Sequence, residues 1–141
     1  MTYGELLRLY FDRSNALQWY WTLYVIVIGG LLAFSSLRKQ ADPLTGVLVT
    51  VLYCCFAYKN LGAIRDTTMQ RLAVVESIRQ FHPSGSDASL DSRDRIEPTL
   101  VTPAYEGIRT FHTACDVLTV AALWGMEWRR WRYRDKAPMN A

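Results

Sequence analysis

The chain has few of the residues that usually build catalytic and metal sites. Its 141 residues include two histidines and three cysteines, with no Gly-rich phosphate loop, Walker sequence or zinc-ligand spacing. A structural zinc site usually needs four ligands, and beyond His112, Cys115 and Asp116 nothing in the chain supplies the rest. We therefore predict a protein that is not an enzyme and has no cofactor. Metal, quinone and a haem held by His112 are all disfavoured.

The two histidines lie in similar short stretches, ESIRQFHP at 76–83 and EGIRTFHT at 106–113. The residues flanking these stretches do not match, whereas a structural repeat has matching periodic context beyond a short core. The similarity is therefore interpreted as coincidence.

Charge is missing from one long part of a chain that is 50% hydrophobic and 21% charged overall. No charged residue lies between Arg13 and Arg38, and about 20 apolar residues suffice to cross the hydrocarbon core of a bilayer. This stretch is too long and starts too late for a secretory signal. Residues 17–37 therefore predict a first transmembrane helix, and the composition excludes a disordered or collagen-like chain.

Two further spans are predicted, at 44–64 and 111–128. The former becomes long enough only if Lys59 reaches the interface or is neutralised. The latter contains Asp116, and it is assigned as a span because WRRWRYR, at 128–134, supplies tryptophans and cations typical of a membrane boundary. The predicted fold class is an all-α integral membrane protein with three transmembrane helices.

The helices are predicted to continue beyond the bilayer. Asp42 and Pro43 suit an N-cap and a first-turn proline after a short turn at 38–43, and nothing interrupts the second helix before Pro83. Such a helix is roughly twice as long as the hydrocarbon core is thick. Its second part, 65–82, is therefore expected to lie in water.

An extramembrane helical bundle is predicted from this extension, the amphipathic segment 1–16 and the start of the third helix, 104–110. Residues 83–103 are predicted to be a loosely ordered polar linker, and 129–141 a basic tail. One side of the extension is mostly apolar, with Arg71 intruding among Leu61, Ile64, Thr68, Leu72, Val75 and Ile78.

A polar stripe is predicted on the third helix, made of Tyr105, Arg109, His112, Asp116 and Thr119. Counting residues from the membrane boundary places Asp116 within about 5 Å in height of Lys59, so an ion pair between them is predicted. The predicted polar intramembrane cluster contains Lys59, Asn60, Arg109, His112, Asp116 and Thr119. Two interpretations stay open: a path for protons or ions or a site for a polar head group, and an interhelical contact that fixes packing.

Two further sets of residues are assigned from their spacing and position. Small residues that permit close helix packing recur on all three spans: Gly29, Ala33, Gly46, Thr50, Cys54, Ala121 and Gly125. Interfacial or lipid-contacting residues are Trp19, Trp21, Trp124, Trp128, Trp131, Arg129, Arg130, Arg132 and Arg134. No fold supports RNA binding, so no nucleic-acid partner is predicted.

Cations outnumber acids around the 38–43 turn and after residue 128. The positive-inside rule therefore predicts a cytoplasmic location for this turn and the C-terminus, in a plasma or inner membrane. The predicted function is that of a small non-enzymatic integral membrane protein that self-assembles through its helices, with an ion or lipid pathway as a further hypothesis. Its partners would be the lipid bilayer and copies of itself. The alternatives are an accessory subunit of a larger membrane complex, and a redox or enzyme subunit that uses His112.

Overall fold

The chain is all-α, as predicted. The computed structural model describes residues 2–81, 94–100 and 104–134. Three long helices, α1 (Tyr3–Leu37), α2 (Pro43–Gln80) and α3 (Tyr105–Arg134), have 35, 38 and 30 residues. Predictions for His82, for 83–93 and 101–103 of the linker, for the Arg134 side chain and for the tail 135–141 lie outside this description.

Helices α1 and α2 begin at side-chain caps. Asp42 accepts a hydrogen bond from the backbone N–H of Thr45 at 3.3 Å and one from its hydroxyl at 2.5 Å, so the predicted N-cap is present. Thr2 and Glu5 form a reciprocal capping box, with Thr2 N–H donating at 2.6 Å and Glu5 N–H at 3.3 Å. The hydrogen bonds from Thr45 lower the pKa of Asp42, and those from Thr2 lower the pKa of Glu5.

Two of the long helices, α1 and α2, are long and apolar enough to cross a membrane. Only 11% of the most apolar part of α1 and 22% of that of α2 is buried inside the chain. A core helix of a soluble protein is mostly buried, so these values are low for such a helix. The third predicted span, 111–128, lies on α3, which is not one of the two helices that meet this criterion among the described residues.

The first of two compact units comprises residues 1–21 and 62–108. Its core is apolar, because α1 and α2 each contribute residues spaced three or four apart, and Leu100 adds a third surface. The buried core residues are Leu6, Tyr10, Val74, Val75, Ile78 and Leu100.

The inward face of α2 in this unit differs in part from the predicted one. Ile64, Val75 and Ile78 are buried as predicted, but Leu72 is 39% exposed and Arg71 only 9%. Arg71 is accommodated because its Nη2 donates to the Tyr10 hydroxyl at 2.9 Å and its guanidinium lies 5.0 Å from the centre of that ring. The helical period therefore predicted this face, including the position of Arg71 on it, whereas Leu72 is more exposed than expected.

The predicted linker is more ordered than expected in the part that the structure describes. Residues 94–96 are helical and continue into the 3₁₀ turn Glu97–Thr99. Leu100 is 5% exposed in the core of the first unit. Leu100 docks the segment, and Ile96, one turn earlier, is partly buried against the same core.

The second unit comprises residues 22–61 and 109–141. Among the described residues, it buries more polar and charged side chains than the first unit does. The inward face of α3 repeats every three or four residues through His112, Asp116, Thr119, Leu123 and Glu127, of which only Leu123 is apolar. The candidate site lies on this face.

Candidate functional site

Asp116 is the centre of a hydrogen-bonded group in the second unit. Its Oδ1 accepts hydrogen bonds from the hydroxyls of Tyr24 at 2.8 Å and Tyr53 at 2.7 Å. Its Oδ2 lies 2.8 Å from Nδ1 of His112, one turn earlier on α3. We call the group of Tyr24, Tyr53, Asn60, His112 and Asp116 the Asp116 cluster. Three donors thus surround one carboxylate, and none of them is a lysine or an arginine.

His112 is enclosed on all sides. Its side chain is 0% exposed, and its ring stacks on Tyr24 with centroids 4.1 Å apart. In the tautomer with the proton on Nδ1, His112 donates to Oδ2 of Asp116. Nε2, 3.3 Å from the Asn60 amide nitrogen, then accepts from that amide. Both ring nitrogens are engaged, so a metal or haem iron would have to displace Asn60 or Asp116.

The predicted ion pair between Lys59 and Asp116 is wrong. Lys59 is exposed and forms no ion pair with any residue the structure describes, whereas its neighbour Asn60 is buried. Residue counting gave the height along the helix but not the direction around it. Tyr53, Ala57 and Asn60 follow the helical period toward α3, and Lys59 lies about 100° away from Asn60.

Of the other members of the predicted polar cluster, four lie on the inward faces of α2 and α3 and one is exposed. Asn60, His112 and Asp116 are brought together as predicted. Thr119 is buried on the same face, where its hydroxyl donates to the backbone oxygen of Cys115 at 2.8 Å. Arg109 is exposed.

Tyr24 and Tyr53 were not predicted as site residues. They lie in the first and second predicted spans, and they are only 2% and 3% exposed. A carboxylate in an apolar stretch needs donors, and counting from the same helix ends places both hydroxyls within about two turns of Asp116. The count used for Lys59 therefore also gives the height of these two residues, but not the direction in which they point.

Asp116 also reaches a lateral groove between α2 and α3. The groove has a volume of about 720 Å³ and is lined mainly by apolar and aromatic residues, among them Tyr58, Leu61, Val117 and Trp124. The Asp116 side chain is 23% exposed, while its partner His112 is fully buried. The carboxylate is therefore the accessible member of the pair.

A second polar group lies farther along the same face of α3. Glu127 Oε2 is 2.8 Å from Nη1 of Arg130 and 3.6 Å from Nη1 of Arg38, and its Oε1 accepts from Asp42 N–H at 2.5 Å. Arg130 also donates to the backbone oxygens of Arg38, at 2.8 Å, and of Ser35. We call these five residues the Glu127 cluster. Arg130 was predicted to contact lipid, but its hydrogen bonds instead connect α3 to the C-terminal end of α1.

The remaining predicted interfacial residues are mostly exposed. Trp19, Trp128 and Trp131 are 72%, 59% and 50% exposed, and Trp124 is 39% exposed. Arg129 is exposed as well, and Arg132 lies over the ring of Trp128 at 4.9 Å.

The predicted small-residue positions differ in what they face. A Cβ atom on Gly46 would lie 4.0 Å from Glu127 and Trp124, so Gly46 lies where α2 meets α3. A Cβ atom on Gly29 or Gly125 would meet nothing within 4 Å, and Ala33, Cys54 and Ala121 are exposed. Thr50 donates its hydroxyl to the Gly46 oxygen at 2.8 Å.

No protein-family model matches the chain, and no curated protein or solved structure is significantly similar to it. Among the described residues, no three His, Cys, Asp or Glu side chains are grouped so that they could hold a metal ion.

Proposed function

We propose that this protein is a non-enzymatic integral membrane protein that crosses the bilayer three times and assembles with copies of itself. The observation that carries the proposal is the apolar outer surface of the second unit. Large apolar side chains on all three helices are more than half exposed, namely Val25, Ile26, Leu48, Val51, Leu52, Val117 and Leu118. In water such a surface would be costly, at roughly 25 cal/mol for each Å² of apolar area.

The same sorting of side chains supports α3 as the third span. Within 111–128, the strongly polar residues that lower the hydropathy are His112, Asp116 and Glu127 on the inward face, where both carboxylates have hydrogen-bonding partners. A lipid would instead meet Phe111, Val117 and Leu118, which are all more than 60% exposed. Hydrogen bonds and ion pairs within the chain thereby offset the free-energy cost of placing these two carboxylates in a membrane span.

In the proposed topology, the α1–α2 turn and the C-terminal end of α3 lie at the same membrane surface. Arg38 and Lys39 lie in the α1–α2 turn, and Arg129 and Arg132 lie near the end of α3. The positive-inside rule gives this surface a cytoplasmic orientation. Alkaline extraction should leave the protein in the membrane pellet, and a cysteine placed at Lys39 should react only with reagents applied from the cytoplasmic side.

Self-assembly is proposed because, among the residues the structure describes, nothing packs within 4 Å of a Cβ atom on Gly29 of α1 or Gly125 of α3. The native mass in mild detergent tests this, and we expect one closed homo-oligomer. Gly29→Leu or Gly125→Leu should reduce the oligomer while the helical content is retained. Gly4→Leu is the matched control, since a Cβ at Gly4 also meets nothing within 4 Å but lies outside the proposed spans. A wild-type protein that is recovered only with another polypeptide would favour the accessory-subunit alternative.

The Asp116 cluster favours a second candidate function, a proton pathway in the assembled protein. Hydroxyl, carboxylate and imidazole groups lie in sequence at 2.7–2.8 Å, distances over which protons exchange. Asp116 and Tyr53 both line the lateral groove, and Asp116, with its side chain 23% exposed, is the more accessible of the two. If the cluster conducts, Asp116→Asn should abolish proton flux into liposomes while the oligomer mass stays unchanged. Absence of flux in the wild type would leave the cluster with a packing role.

A further inference from the structure

A basic recess lies at the end of the second unit that contains the α1–α2 turn. It has a volume of about 710 Å³, within the range typical of ligand sites. Its walls come from the end of α1, the turn and the last two turns of α3. The lining residues are Ser36, Arg38, Lys39, Gln40, Ala41, Arg129, Arg130 and Tyr133.

The charges around the recess do not balance. Four cationic side chains line it, and the carboxylates that pair with them are Glu127 and Asp42. Glu127 is shared between Arg38 and Arg130, and Asp42 lies 3.8 Å from Arg38. Counted over the described residues, the recess therefore keeps an excess of positive charge.

The four cations have two different roles. Arg38 and Arg130 are held in place, with side chains only 17% and 10% exposed. Lys39 and Arg129 are exposed, and within the described chain neither forms an ion pair. The first pair gives the recess a fixed wall, and the second pair is available to an anion.

We propose that this recess binds the phosphate of an anionic phospholipid headgroup. The inference rests on the proposed membrane insertion, which places the recess at headgroup level beside the exposed Trp128 and Trp131. Guanidinium groups bind phosphate oxygens through paired N–H donors, and a lysine adds a compact charge. A lipid held there would contact α1, the turn and α3 at once.

The test uses the full-length protein in nanodiscs of phosphatidylcholine with phosphatidylglycerol, and native mass spectrometry identifies the lipids that stay bound. The wild type should retain phosphatidylglycerol preferentially. Lys39→Gln and Arg129→Gln should each reduce this retention roughly fivefold, the effect expected for one cation near an anionic surface. Neither residue is part of the Glu127 cluster, so both variants should fold.

Arg132→Gln is the matched control. It removes the same charge from the same end of α3, but Arg132 lies over Trp128 and does not line the recess. Equal losses in Arg129→Gln and Arg132→Gln would overturn the site, because they would indicate a diffuse surface charge. Equal retention of both lipids by the wild type would also overturn it.

A separate arm adds inorganic phosphate at matched ionic strength. Loss of the bound lipid in that arm would overturn the lipid assignment in favour of a free phosphate, and retention supports it. Failure of the proposed membrane insertion gives a different result, since the protein would then be released by alkaline extraction and would not enter nanodiscs.

Discussion

The two inward-facing carboxylates of α3 are stabilised in different ways. Asp116 accepts hydrogen bonds from two tyrosine hydroxyls and from the imidazole of His112. Glu127 lies instead between two guanidinium groups and also accepts a backbone N–H. The two acids occupy the same helical face, so their different partners reflect position along the helix and not a different direction.

Depth in the proposed bilayer explains the difference. A lysine or arginine near the middle of a span would itself have to be desolvated, so a second charge adds a cost of its own there. Tyrosine and neutral histidine donate hydrogen bonds without that cost. Near the helix ends, water and lipid headgroups solvate the guanidinium groups, so the desolvation penalty of an ion pair is smaller there. Pairing acids with the nearest cation is therefore a poor guide in the interior of a span.

The largest effect is expected from Asp116→Ala. It leaves Tyr53 and His112 without this acceptor and Tyr24 with only the His112 backbone oxygen at 3.2 Å, and we expect a loss of about 2–4 kcal/mol in the free energy of unfolding. Lys59→Gln, which removes the charge once expected to pair with Asp116, should change stability by no more than about 0.5 kcal/mol. Unfolding in mixed detergent micelles measures both. Equal losses in the two variants would restore the ion pair and contradict the cluster.

Glu127→Ala should have a smaller but clear effect. It leaves Arg130 and Arg38 without their shared carboxylate, and we expect a loss of about 1–3 kcal/mol. Added salt should reduce the difference from the wild type, because ions screen charges near the helix ends. Asp66→Ala, at an exposed carboxylate of α2, is the control and should be nearly neutral. A salt-independent loss would place Glu127 in the same class as Asp116.

Tyr53→Phe sharpens the comparison at the level of one hydrogen bond. The hydroxyl donates to Asp116 at 2.7 Å, so its removal should cost about 0.5–1.5 kcal/mol. Tyr58→Phe is the matched control, because Tyr58 is 77% exposed. In an Asp116→Ala background the cost of Tyr53→Phe should largely disappear, and additive costs would show that the two groups act independently.

Much of the fold could be predicted from the sequence, because it depends on local information. The charge-free stretch of α1, the Asp42–Pro43 start of α2 and the helical period of α3 each act within a few turns. The partners of Asp116 could be predicted only in part. His112 is on the same helix, one turn away, and was found. Tyr24 and Tyr53 come from other helices, and their contact depends on rotation about the helix axis, which a residue count does not contain.

The docking of Leu100 shows the same limit in the first unit. Ile96 and Leu100, four residues apart in a polar stretch, are too few to establish a periodic pattern, so their burial follows from the surface that α1 and α2 offer.

The smallest effect is expected at Asp42, an exposed carboxylate. It is stabilised by solvent and by local hydrogen bonds from Thr45 and is not buried against a partner. Hydrogen bonds from Thr45 hold the pKa of Asp42 below its ordinary value. A lowered pKa in the folded state means that the stabilisation is present above the unfolded pKa, about 3.9, and is lost as pH falls through the folded value. Asp42→Asn keeps the cap, since asparagine caps equally well, but should remove this part of the acid sensitivity. Thermal unfolding at neutral and acidic pH measures it, and the two proteins should differ only at acidic pH. An identical acid response would mean that the pKa of Asp42 is the same in the folded and unfolded states. The hydrogen bonds from Thr45 would then stabilise the cap equally well with a neutral side chain at position 42.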